Sequence, residues 1–115
     1  MKGSETDLLN SGKRDKVEIM AAIISLTEEI STKTSIMNRV NLSHKQLTRY
    51  LKIMAAKQLI NTSKIKGKTL YQQTEKGREF FNIYCEMLKI LYGDNLLKVH
   101  NNLVVECLEQ NHEHQ

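Results

Sequence analysis

Between Ile30 and Thr74 the chain carries nine lysines and arginines (Lys33, Arg39, Lys45, Arg49, Lys52, Lys57, Lys64, Lys66 and Lys68) and no aspartate or glutamate. Whatever this stretch folds into must hold those charges at its surface, because an unpaired buried cation is too costly to keep, and must build its interior from the apolar residues between them. The whole chain has 17 basic and 13 acidic residues, which leaves eight basic against 13 acidic outside the window. Charge is sorted by segment. A carboxylate-free cationic surface suits a polyanion, since each Lys or Arg laid on a phosphate releases condensed counterions and nothing nearby opposes the approach.

The apolar spacing within the window predicts its shape. Thr32 to Val40 places Ile36, Met37 and Val40 on one helical face, with Ser31 or Thr32 as the cap, and Asn41-Leu42-Ser43 then interrupts the pattern. Ser43 suits the N-cap of a second helix, with Leu42 before it as a hydrophobic staple. From His44 to about Lys57, Leu47, Tyr50, Leu51 and Met54 form one inward stripe, while His44, Lys45, Gln46, Thr48, Arg49 and Lys52 occupy the opposite face. Arg, Gln, Lys and Thr on the early turns of a helix that follows a tight interhelical turn suit insertion into a DNA major groove. Leu59 to Ile65 and Thr69 to Gln73 read as two strands around Lys66-Gly67-Lys68, and Gly67 can supply the positive φ of a hairpin turn. The tip, with Lys64, Lys66 and Lys68, is expected on backbone phosphates or in a minor groove. Lys33 and Thr34, at the start of the earlier helix, fit either a phosphate contact or plain capping. Helix, turn, helix and basic hairpin make the expected fold mainly α (α+β), a winged helix-turn-helix.

The order of these fragments resembles the small archaeal winged-helix proteins predicted to be transcriptional regulators, some chromatin-associated and dimeric through a C-terminal coiled coil. The matching residues are Thr32-Lys33-Thr34 with Ile36-Met37, Leu42-Ser43, Leu47, Tyr50-Leu51, Leu59-Ile60, and Tyr71 with Thr74, Lys76 and Gly77, within a stretch running roughly from Asp15 to Tyr92. Where that family usually has a glycine before the Leu-Ile pair, this chain has Gln58. The resemblance implies a DNA-binding dimer and names no target.

Flanking segments complete the expected organisation: a disordered tail over 1–14, the winged domain over 15–74, a helical dimerisation segment over 75–110 and a polar tail over 111–115. Asp15, three before Glu18, predicts a capped helix to about Thr27 with Val17, Ile19, Met20, Ile23, Ile24 and Leu26 inward. Ile30-Ser31 can pair as a very short strand beside the wing. After Thr74 the spacing of Phe81, Tyr84, Leu88, Tyr92, Leu96, Val99 and Leu103 gives a heptad-like stripe, expected to join two copies. Either one long helix passes through Gly93, or Gly93-Asp94 breaks it into a hairpin.

The sequence contains nothing that suggests an enzyme: no nucleophile elbow, phosphate loop or carboxylate pair. His44, His100, His112 and His114 do not converge, and Cys85 and Cys107 make no recognisable disulfide framework or metal site, so no metal, cofactor or small-molecule ligand is expected. No apolar run approaches the roughly 20 residues of a membrane span, and a reducing, cytoplasmic, nucleoid-associated location follows as the default. The expected partners are double-stranded DNA and a second copy of the chain, in transcription regulation. The alternatives are an architectural chromatin protein with little sequence preference, or a winged-helix adaptor for other proteins.

Overall fold

The computed structural model describes residues 16–93. The expected tails, the C-terminal end of the dimerisation segment, and with it Leu96, Val99 and Leu103, lie outside the described residues. Within them the order is α1 Lys16–Leu26, β1 Ser31–Thr32, α2 Lys33–Val40, α3 His44–Ala56, β2 Ile60–Ile65, β3 Lys68–Gln73 and α4 Glu75–Tyr92. The strands form an antiparallel sheet in the order β1-β3-β2.

α1 is the hub. Ile19, Ala21, Ile23 and Ile24 are all buried, and a helix apolar on several sides belongs in the middle of a core. Val17, expected inward, is exposed in the first turn, whereas the small Ala21 is fully enclosed. The helix closes at buried Thr27, whose hydroxyl reaches the carbonyls of Ile23 (2.9 Å) and Ile24 (3.1 Å) and satisfies end groups the helix leaves open. Gln73 then joins the end of β3 to the end of α1: its amide donates to the Thr27 carbonyl (2.8 Å) and its Nε2 to the Ile24 carbonyl (2.8 Å).

The expected short strand beside the wing forms one residue later than predicted, with Ser31 opposite Tyr71 and Thr32 opposite Leu70. Thr32 caps α2 by accepting from the Ser35 amide (3.1 Å), and Asn41, at φ 59°, takes the left-handed turn that ends it, a conformation Asn tolerates well. Ile36 and Val40 of α2 and Leu47, Leu51 and Met54 of α3 meet α1 in the shared core, with Leu42 and Tyr50 packed at its edge. α3 ends in a Schellman arrangement: the Gln58 amide donates to Ala55 (3.0 Å) and the Leu59 amide to Met54 (2.9 Å), with Gln58 at φ 64°.

α4 starts against that same turn. Thr74 accepts from the Gly77 amide (3.0 Å) as N-cap while its hydroxyl donates to the Gln58 carbonyl (2.7 Å). Gly77 lies so close to the backbone that a Cβ there would stand 2.2 Å from the Leu59 carbonyl oxygen. The helix ends at Tyr92 with Gly93 as its C-cap.

Two expectations need correction here. Phe81, Tyr84 and Leu88, expected to face a second copy, are buried in this protomer's own core and Tyr92 packs at its edge, because α1 needs a wall that α2 and α3 do not supply. The apolar residues left exposed on α4 are Ile83, Met87, Ile90 and Leu91. Cys85, for which the sequence showed no recognisable disulfide framework, is buried and disulfide-bonded. Cys107, the only other cysteine of the sequence, lies outside the described residues. A spacing of this length carries no pairing signal.

Candidate nucleic-acid interface

Six of the nine window cations lie on α3 and the β2–β3 hairpin, Lys57 follows α3 as its C-cap, and Lys33 and Arg39 belong to α2. α3 is held at its start by a capping box: Ser43 Oγ accepts from the Gln46 amide (3.1 Å) and Gln46 Oε1 accepts from the Ser43 amide (3.0 Å). With Leu47, Leu51 and Met54 buried at i, i+4 and i+7, the positions Lys45, Arg49 and Lys52, at the same spacing, form the exposed stripe, with His44 exposed at the first turn. Ile53, 47% exposed, stands among them.

Three of the expected site residues have internal partners. Gln46 spends its side-chain carbonyl on the capping box. Thr48 donates to the His44 carbonyl (2.8 Å) and also meets Lys33 Nζ, which crosses from the first turn of α2 to α3. Half-buried Lys33 thus ties the two helices together, whereas Thr34 beside it is exposed. The capping box was legible as Ser-x-x-Gln at 43–46; the Lys33–Thr48 bond spans 15 residues and has no local signature.

The wing is a two-residue hairpin. Ile65 pairs with Lys68, and Lys66 (φ 53°) and Gly67 (φ 81°) both occupy the left-handed region, the signature of a type I′ turn. Lys64, Lys66 and Lys68 are all exposed, as is Ile65 between them at 51%. The ion pairs Arg78–Glu28 (3.4 Å) and Lys89–Glu86 (3.2 Å) involve none of the nine window cations. The carboxylates Glu75, Glu79 and Glu86 lie together along α4 with Arg78, Asn82 and Ile83. Among the described residues no group of His, Cys, Asp and Glu is arranged to hold a metal ion, and no helix is long and apolar enough to cross a membrane.

A three-helix core whose third helix presents a cationic stripe, followed by a basic antiparallel hairpin and a covering helix, defines the winged helix-turn-helix class. A winged helix-turn-helix family model matches residues 13–92. The chain belongs to that family. Among solved structures it is similar to Sso10a-2 of Sulfolobus solfataricus, with 22% identity and TM-score 0.65 over 87% of this chain and 95% of that one. BldR of the same organism matches with 23% identity and TM-score 0.61, over 84% and 70% of the two chains. ZitR of Lactococcus lactis, as a C30AH42A mutant, matches with 20% identity and TM-score 0.57, over 91% and 80%. At these identities the likeness is one of fold. No curated protein matches the chain in sequence.

Proposed function

We propose that the protein is a DNA-binding transcriptional regulator that lays α3 in a major groove and its wing on the adjoining backbone or minor groove. The observation that carries this is the exposure of Lys45, Arg49, Lys52, Lys64, Lys66 and Lys68 on one helix and one hairpin free of carboxylates. The fold neighbours are compatible: Sso10a-2 is a DNA-binding protein and BldR a transcriptional regulator. Arg49 is the side chain best placed to read a base, since guanidinium can grip guanine O6 and N7 with two bonds, while the lysines neutralise phosphates. Binding DNA would also place the protein at the nucleoid.

The internal bonds of Gln46 and Thr48 favour a second reading, architectural binding with little sequence preference, because they shorten the set of base-reading side chains. One titration separates the two. Duplex affinity should fall with salt at a log–log slope of roughly 0.9 per neutralised phosphate in both cases. Arg49→Ala should cost about 1–3 kcal/mol on a site selected from random DNA and far less on random duplex if bases are read. Equal losses on both would establish coating, and no binding at low salt would remove both readings.

The functional unit is proposed to be a homodimer joined through α4. Its face would be the exposed Ile83, Met87, Ile90 and Leu91, a contiguous apolar strip on a helix whose other side is already buried in the protomer.

A further inference from the structure

The wing tip carries one residue that phosphate binding does not explain. Directly opposed residues in an antiparallel pair share a face, so Ile65 and Lys68 lie with Ser63 and Leu70, opposite the side formed by Ile60, Thr62 and Tyr71. Ile60 is buried and Tyr71 packs on the core, which puts Ile65 on the outer face. β1 pairs only with Tyr71 and Leu70, so the last two rungs, Lys64–Thr69 and Ile65–Lys68, run past the third strand. Exposure alone singles out nothing, since Ile30 and Ile53 are almost as open at 48% and 47%. Position does: Ile65 alone of these sits on a protruding tip, flanked by three lysines.

The turn of the tip places Lys66 at φ 53°, where Asn or Gly would be less strained, so a cation is retained there at some cost in stability. Isoleucine is β-branched, with a restricted χ1, and presents a blunt apolar end. An aliphatic side chain carried into a minor groove by cations can enter a base step, unstack it and kink the duplex.

Resting on the DNA-binding reading above, we infer that the hairpin tip is a DNA-bending wedge: Ile65 enters a base step from the minor groove while Lys64, Lys66 and Lys68 hold the flanking phosphates. The ligand is a B-form duplex, with pyrimidine–purine steps favoured because they unstack most easily.

The test uses the full chain and a duplex labelled at its ends with an energy-transfer pair, carrying either a central TA step or an A-tract. Wild-type protein at saturation should bend the TA duplex by about 20–90° and the A-tract less. Ile65→Ala should leave the duplex straight with affinity changed less than about tenfold, because the lost contact and the unstacking no longer required offset each other. Ile65→Met, which keeps an apolar wedge, should restore the bend, and Lys66→Ala should weaken binding while keeping the bend at saturation. Binding without bending by the wild type, or an unchanged bend with Ile65→Ala, overturns the wedge and leaves DNA binding standing. Failure of the wild type to bind duplex at low salt overturns both.

Discussion

Gln58 lies in the turn that joins α3 to β2 and Gly77 packs against that turn at Leu59, and each exerts its effect through the backbone. Gln58 holds φ 64° at the position after the helix where glycine costs least. Gln58→Gly should therefore raise stability by about 1 kcal/mol, the relieved strain exceeding the entropy gained by the unfolded chain, read as a higher denaturant midpoint with an unchanged slope. Gly77 is the reverse case. With a Cβ 2.2 Å from the Leu59 carbonyl oxygen and 2.9 Å from Ile24 Cδ1, Gly77→Ala forces α4 away from the turn. A loss of about 1–3 kcal/mol by the same measurement is expected, and an unaltered midpoint would mean that α4 does not seat where described. The absence of glycine at position 58 was readable from the sequence alone. The close approach at Gly77 was not, because the atoms it meets come from α1 and the α3–β2 turn.

Among the elements, α2, α3 and the hairpin were legible because each has a local signal: Thr32 and Ser43 as caps, a stripe at Leu47, Leu51 and Met54, and Gly67 in the turn. α4 was legible as a helix but not in its orientation. Its stripe at Phe81, Tyr84 and Leu88 and its second row at Ile83, Met87, Ile90 and Leu91 are both apolar, and periodicity cannot say which one meets α1. The structure buries the first. Leu88→Asp should consequently unfold the domain, seen as loss of the cooperative thermal transition, because it places a carboxylate in the core. Ile90→Glu, at a position 83% exposed, should leave that transition nearly intact and shift the sedimentation of the proposed dimer to that of a monomer. An unaltered dimer with Ile90→Glu would exclude this face of α4 from self-association. At the site, the capping role of Gln46 follows the local Ser-x-x-Gln spacing, whereas the Lys33–Thr48 bond has no such signal.

At the scale of the molecule, the cations of α3 and the wing lie in a stretch free of carboxylates, whereas α4 mixes Glu75, Glu79 and Glu86 with Lys76, Arg78 and Lys89. A particle charged in this way turns its basic side toward a polyanion before contact, which raises association rates at low salt more than dissociation is slowed. β2, the outer strand of the sheet, has no neighbour on its far side among the described residues. Left plain, such a rim invites a stray strand to add itself and begin a stack. Asn61, Thr62, Ser63 and Lys64 make that rim polar and place a charge along it, so Lys64 would guard against clumping in addition to its proposed contact with phosphate. Neutralising it therefore changes two behaviours together, and weakened DNA retention in such a variant has meaning only once the sample is known to be free of aggregates.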